Sequence, residues 1–126
     1  MSKILIVEDN DKNMKLVRDI LQHKGHSTLE AVTGGDGVRM AIEHRPDLIL
    51  MDIQLPDIDG FRALELIREQ PSLKATPVLA VTASVMPEDQ YKIASSGFDG
   101  FISKPISIKP FLETVECFLV MGRRPP

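Results

Sequence analysis

Asp47-Leu48-Ile49-Leu50-Met51-Asp52 is a short apolar run closed by a carboxylate. Four apolar residues without polar alternation read as a strand covered on both faces, as in a parallel sheet. Asp52 stands where that strand leaves the core. The pattern returns at Ile4-Leu5-Ile6-Val7, followed by Glu8 and Asp9, and at Phe101-Ile102, followed after one residue by Lys104. Two acidic strand ends and one basic strand end point to a single polar pocket where the strands terminate.

Outward from this run, strand and helix signals alternate five times. Asn10 is placed to cap a helix after the first strand, and Gly25 to end it. At about 100° per residue, Leu16, Val17 and Ile20 share its inward face, with Met14 and Leu21 at the shoulder. Residues 28–32 make a weaker strand. Thr33, or Asp36 beyond the paired glycines, can cap a second helix that faces inward through Val38, Ala41 and Ile42 and ends at Pro46. Leu55-Pro56-Asp57-Ile58-Asp59-Gly60 reads as a loop, and residues 61–68 as a third helix with Leu64 and Ile67 inward. Residues 78–81 form the fourth strand. Pro87 suits a first helical turn, and Glu88 and Asp89 suit the positive end of the helix dipole. Tyr91, Ile93 and Ala94 give this fourth helix, closed by Gly97, little apolar surface, so it should be the least firmly anchored. Residues 100–102 form the fifth strand. Ser107 can cap the last helix, which tolerates Pro110 in its first turn. Phe111, Leu112, Val115, Phe118 and Leu119 form its inward face.

The result is an α/β fold, a doubly wound parallel sheet with helices on both sides. In such sheets a ligand site lies beyond the carboxyl ends of the strands, at the switch point. Glu8, Asp9, Asp52, Thr82 and Lys104 belong there.

The 126 residues amount to one domain, expected over residues 1–121, with a short flexible tail at 122–126. The net charge of −3 and the absence of a basic stripe disfavour nucleic acid. One cysteine, Cys117, allows no internal disulfide and is expected in the core. The apolar runs are too short for a membrane, and Met1-Ser2-Lys3-Ile4 lacks a signal-peptide core, so a cytoplasmic location is expected. His23, His26 and His44 are scattered and expected at the surface. Gly34, Gly35 and Gly37 fit neither dinucleotide nor Walker spacing and read as a turn.

Carboxylates crowded within about 5 Å repel by roughly 3 kcal/mol per pair at an effective dielectric near 20. Protons or a divalent cation must offset this, and oxygen-only ligands suit magnesium or manganese. Lys104 adds a point charge and Thr82 a hydroxyl for the oxygens of a phosphoryl group. Asp52 is then the natural nucleophile, becoming an aspartyl phosphate. Ala83 is small enough to leave access open. In isolation, each of these residues has a plainer reading, Asp9 and Asn10 as helix caps, Asp52 as a turn residue and Lys104 as a solvated lysine.

Val7-Glu8-Asp9-Asn10, Leu50-Met51-Asp52-Ile53-Gln54-Leu55-Pro56, Asp59-Gly60, Val81-Thr82-Ala83 and Ser103-Lys104-Pro105, in this order and spacing, resemble the receiver domains of two-component response regulators. The resemblance covers essentially the whole chain. Within the family, Asn10, Asn13-Met14-Lys15, residues 102–107 and residues 111–115 are most similar to single-domain regulators of the alphaproteobacterial cell cycle. The resemblance implies a flavodoxin-like (βα)5 fold with strand order 2-1-3-4-5. It implies Asp52 as acceptor of a phosphoryl group from a histidine kinase or histidine phosphotransfer protein. Asp9, Asp52 and the Gln54 backbone carbonyl would bind Mg2+, with Glu8 acting through water. Thr82, Ala83 and Lys104 would surround the phosphoryl group, Phe101 would be the aromatic switch, and Lys104-Pro105 a cis peptide. Asn13 and Met14 would be candidates for kinase contact, while Gln54 and Ser84 flank the pocket. The output would be binding of a protein partner through the fourth helix, fifth strand and fifth helix, by a monomer or weak dimer and not by an enzyme.

Two other readings share parts of this pattern. A hydrolase of the haloacid dehalogenase type would need a second aspartate where Gln54 stands. A flavin carrier would need a neutral phosphate loop where Glu8 and Asp9 stand.

Overall fold

The computed structural model describes residues 2–83 and 86–122. Five strands, β1 (Lys3–Val7), β2 (Ser27–Ala31), β3 (Leu48–Asp52), β4 (Val78–Thr82) and β5 (Gly100–Ser103), alternate with five helices. The helices are α1 (Asp11–His23), α2 (Gly34–His44), α3 (Gly60–Arg68), α4 (Pro87–Ser95) and α5 (Ile108–Met121), with a 3-10 turn at Pro71–Leu73 that the sequence did not announce. All pairings are parallel and the order is β2-β1-β3-β4-β5. The chain runs from β1 to one side for β2 and to the other for β3, so the switch point lies between β1 and β3.

Strand periodicity builds two cores, because successive side chains point to opposite faces. Ile4, Ile6, Leu48, Leu50, Leu79, Val81 and Ile102 pack with Met14, Val17, Ile20 and Leu21 of α1 and Phe111, Val115 and Phe118 of α5. Leu5, Val7, Ile49, Met51, Val78 and Ala80 pack with Ala41 of α2, Ala63, Leu64 and Ile67 of α3, Ile93 of α4 and Phe98. This double burial is why the strands read as unbroken apolar runs.

Asn10, Thr33 and Pro87 stand at helix starts as the sequence predicts, whereas Gly34, Gly35 and Gly37 lie within α2 and not in a turn, and Asp59 is a cap that the sequence did not single out. Asn10 accepts from the Asn13 amide, Thr33 from Asp36 and Asp59 from Arg62. Pro87 opens α4. Ser107 precedes α5 without a side-chain cap, and its carbonyl takes the Phe111 amide instead. α4 buries only Ile93, with Tyr91 and Ala94 exposed. Lys92, 4.4 Å from the Phe61 ring centroid, adds a cation–π contact to that thin seam.

Several inward assignments shift. On α1 the buried stripe is centred on Met14, Val17 and Leu21, which leaves Leu16 37% exposed. On α2, Gly37 brings the helix against Val7, Ala41 is buried and Ile42 turns outward. Cys117 is exposed, since Val115 and Phe118 take the core side of α5. His26 is no surface histidine: its side chain is 9% exposed and its Nε2 lies 2.9 Å from Glu116 Oε1. The tail residues 123–126 and Ser84 lie outside the described residues. No helix among the described residues is long and apolar enough to cross a membrane.

Gly60 opens α3 hard against the end of β3. A Cβ there would stand 2.7 Å from the Asp52 carbonyl oxygen and 2.9 Å from Ile53 Cα, both backbone atoms that cannot swing away. Gly60→Ala should therefore lower stability by about 1–3 kcal/mol, read from the denaturant midpoint.

Candidate functional site

The pairing register sets the site. Val7 lies opposite Met51, Asp52 opposite Val81 and Thr82 opposite Ser103, so four strands end at one level. Parity then sorts the side chains. Asp52 continues the Leu48–Leu50 face toward α1 and α5, and Glu8 continues the Ile4–Ile6 face on the same side. Thr82 continues the opposite face, that of Val78 and Ala80, toward the layer containing α4.

Asp52 is 4% exposed. Its Oδ1 accepts from the Gln54 amide at 2.9 Å and its Oδ2 from Lys104 Nζ at 3.0 Å. The same Nζ lies 3.1 Å from Glu8 Oε1. Glu8 is 3% exposed, and its Oε2 accepts from the Asn10 amide at 3.2 Å. Asp9 is exposed beside them, and one oxygen from each of Glu8, Asp9 and Asp52 lies within 4.8 Å of the others. Lys104 is held by its own backbone, whose amide donates to the Thr82 carbonyl at 2.8 Å, and its peptide bond to Pro105 is cis.

Two recesses meet at Asp52 and Lys104. One, of about 510 Å³, is lined by Thr82, Ala83, Phe61, Asp89 and Lys92 as well as Asp52 and Lys104. The other, of about 420 Å³, opens over Glu8, Asp9, Asn13 and the Gln54–Pro56 stretch. Every residue expected in the pocket and described here lines one of them, apart from the three farther from the acids. Phe101 lies at the β5 edge, 39% exposed. Pro105 borders a separate groove with Phe101 and Phe111. Met14 is 5% exposed and packs in the α1–α5 core, so its side chain offers almost nothing to a partner, whereas Asn13 stays half-buried at the rim. Lys92 and Asp89 at the recess carried no sequence signal for the site: Asp89 read only as a first-turn acid of the fourth helix, and Lys92 as one of its charged residues.

Glu8 and Asp52 share one lysine here, and Asp9 adds a third carboxylate beside them. Burial pushes the Glu8 carboxyl up to about 7, aided by hydrogen bonding to and repulsion by Asp52 and opposed by the Asn10 amide and Lys104. On Lys104, burial disfavours the charge, but bonds to Asp52 and Glu8 outweigh it and raise its pKa. The cluster therefore takes up a proton near neutrality or binds a cation. Oxygen-only donors, two of them buried and one open to solvent, fit Mg2+, which uses one or two carboxylates and keeps several waters.

The sequence model of the response regulator receiver domain family matches residues 4–116. The Polar-differentiation response regulator DivK of Brucella anthropi is 44% identical over 116 residues, 92% of this chain and 94% of that protein. Among solved structures, the receiver domain of a sensor histidine kinase from Pseudomonas aeruginosa PAO1, with a magnesium ion coordinated in its active-site cleft, superimposes with a TM-score of 0.88. It is 29% identical, over 94% of this chain and 98% of that one. The chemotaxis response regulator CheY4 of Vibrio cholerae gives a TM-score of 0.88 at 29% identity, over 93% of this chain and 98% of that one.

The raised Glu8 pKa fixes a pH dependence. The native carboxyl keeps its proton up to about 7, while the unfolded one releases it near 4.5. The penalty for ionising Glu8 in the fold is thus absent below the unfolded value, grows between the two and is complete above the folded one. In metal-free buffer, wild type should lose roughly 2–3 kcal/mol relative to Glu8→Gln between pH 4 and pH 8. Urea unfolding at the two pH values measures this, and a difference between the proteins that does not change with pH contradicts it.

Proposed function

Because the chain belongs to the response regulator receiver domain family of two-component signalling proteins, we propose that Asp52 accepts a phosphoryl group from phosphohistidine and that this acceptance switches protein binding. The observation that carries the proposal is the Asp52 carboxylate itself. It is buried at a strand end, opens onto a recess, bonds Lys104 Nζ at 3.0 Å and stands beside Glu8 and Asp9.

An Asp52 oxygen attacks phosphorus, the P–N bond of the donor breaks, and the leaving imidazole takes the electron pair and a proton. Asp9, Asp52 and the Gln54 backbone carbonyl would hold Mg2+, with Glu8 acting through water, and the ion would neutralise charge on the phosphoryl oxygens. Lys104 exchanges its Asp52 partner for a phosphoryl oxygen. The Thr82 hydroxyl approaches another oxygen, and Ala83 leaves room for the group. The acceptor assists its own phosphorylation and dephosphorylation and turns over no outside substrate.

Phosphorylation replaces the single carboxylate charge by a group carrying about −1.5 to −2 charges. Complete switching needs about 5.5 kcal/mol of differential binding, and charge-assisted hydrogen bonds from Lys104 and Thr82 supply part of it at roughly 1.5–3 kcal/mol each. Thr82 lies on the α4 side of the sheet, and α4 buries Ile93 alone, so a Thr82 displacement reaches the helix least able to resist it. Phe101, half-exposed on β5, turns inward in the switched state. The readout surface is the α4–β5–α5 face. Residues 1–121 form the receiver unit of a monomer or weak dimer, with 122–126 a tail. Its donor is a cytoplasmic histidine kinase or phosphotransfer protein that meets the rim near Asn13. The likeness to polar-differentiation regulators supports cell-cycle control as the signalling context.

Beryllofluoride with Mg2+ mimics the phosphoryl group. In wild type it should shift the amide NMR signals of Thr82, α4 and Phe101, and in Asp52→Ala it should leave them unchanged. Signals that do not move in wild type, or sustained turnover of small phosphate esters, would contradict the proposal.

A further inference from the structure

The loop between β3 and α3, residues 53–59, is fastened at its ends by backbone and capping bonds. The Ile53 amide donates to Val81 O at 3.2 Å, the Gly60 amide to Ile53 O at 2.8 Å, and Asp59 Oδ1 caps the Arg62 amide at 2.9 Å. The middle of the loop reaches across to a different helix. Asp57 Oδ1 accepts from the Gly34 amide at 2.8 Å and Asp57 Oδ2 from the Gly35 amide at 2.9 Å.

These are the first two residues of α2, whose amides have no helical partner and lie at the positive end of its dipole. The Gly35 and Gly34 amides hold the Asp57 carboxyl below its ordinary range. The approach is tight at both glycines and severe at Gly34. A Cβ on Gly34 would fall 2.5 Å from Ile58 Cγ1, and one on Gly35 3.2 Å from Asp57 Oδ2. α2 has its own cap in Thr33, which takes the Asp36 amide at 3.1 Å, so the Asp57 bonds are additional to ordinary capping. The fastened loop carries Gln54, Leu55 and Pro56 along the edge of the acidic recess, and the Gln54 amide donates to Asp52 Oδ1.

We infer that Asp57 is a positioning residue for the acceptor site: by fastening the middle of the β3–α3 loop to the start of α2, it holds the Gln54 backbone beside Asp52 and so strengthens Mg2+ binding. The inference rests on the site reading given above. It separates two roles at the start of α2, with Thr33 serving the helix and Asp57 serving the neighbouring loop.

NMR titration of the full-length chain with Mg2+, following the amides of Asp9 and Gln54, gives the dissociation constant of wild type, Asp57→Ala, Asp57→Asn and Thr33→Ala. Metal-free thermal midpoints are measured alongside. Asp57→Ala should raise the constant about tenfold, the low end of what removing a residue behind a metal ligand costs. Asp57→Asn keeps one acceptor oxygen and should fall between, and it carries the test if the alanine variant does not fold. Thr33→Ala should lower the thermal midpoint through its lost cap and leave the constant at the wild-type value. Unchanged constants in the Asp57 variants, or equal weakening in Thr33→Ala, would overturn the positioning role alone. A wild type whose signals do not respond to Mg2+ would overturn the site reading and this inference with it.

Discussion

One ammonium group between two buried carboxylates is the contact on which the rest of the site depends. Lys104 Nζ lies 3.0 Å from Asp52 and 3.1 Å from Glu8, with Asp9 adding a third acid at the rim. A buried ion pair contributes little net stability, because desolvation consumes most of the Coulombic gain. Here the balance is worse, since two carboxylates compete for one cation. The backbone relieves part of the imbalance: the Gln54 amide serves Asp52 and the Asn10 amide serves Glu8. The remainder appears in the raised Glu8 pKa. The site is therefore suited to a further positive partner, and its crowded carboxylates come at a cost to the resting fold.

The scaffold meets that cost with cores on both faces of the sheet. β3 and β4, buried throughout, and β1, buried from Ile4 to Val7, fix the register, and the register brings the charged ends to one level. The helices are unequally firm. α1, α3 and α5 each bury three or more side chains, whereas α4 buries one. Asp99 and Arg68 pin the strand entry just beyond α4, with Arg68 Nη2 2.8 Å from Asp99 Oδ2 and the Val78 amide 2.9 Å from the same oxygen. Rigidity thus surrounds α4 on the side away from the site, and compliance is left where Thr82 points.

The strands and the acceptor constellation were legible because each depends on a short, strong signal. A continuous apolar run ending in Asp52 or Glu8 needs no knowledge of its neighbours. Caps at Asn10 and Thr33 were legible for the same local reason. What escaped depends on distant partners. Leu16 and Ile42 are as apolar as the buried residues beside them, and only the packing of α1 and α2 decides that they turn outward. Cys117 is exposed because Val115 and Phe118 settle the rotation of α5. His26 finds Glu116 across 90 positions of sequence. Asp57 read only as part of a loop, and its bonds to Gly34 and Gly35 appear only once α2 lies against the β3–α3 loop.

The central claim is that Asp52 is the residue that carries the phosphoryl group. Incubation of the purified chain with acetyl phosphate and Mg2+, followed by borohydride reduction and peptide mass spectrometry, reads the modified position directly. The account predicts that reduction converts residue 52 to homoserine in wild type and that no phosphoryl label forms in Asp52→Ala. A label that persists in Asp52→Ala, or that maps to another residue in wild type, would contradict it.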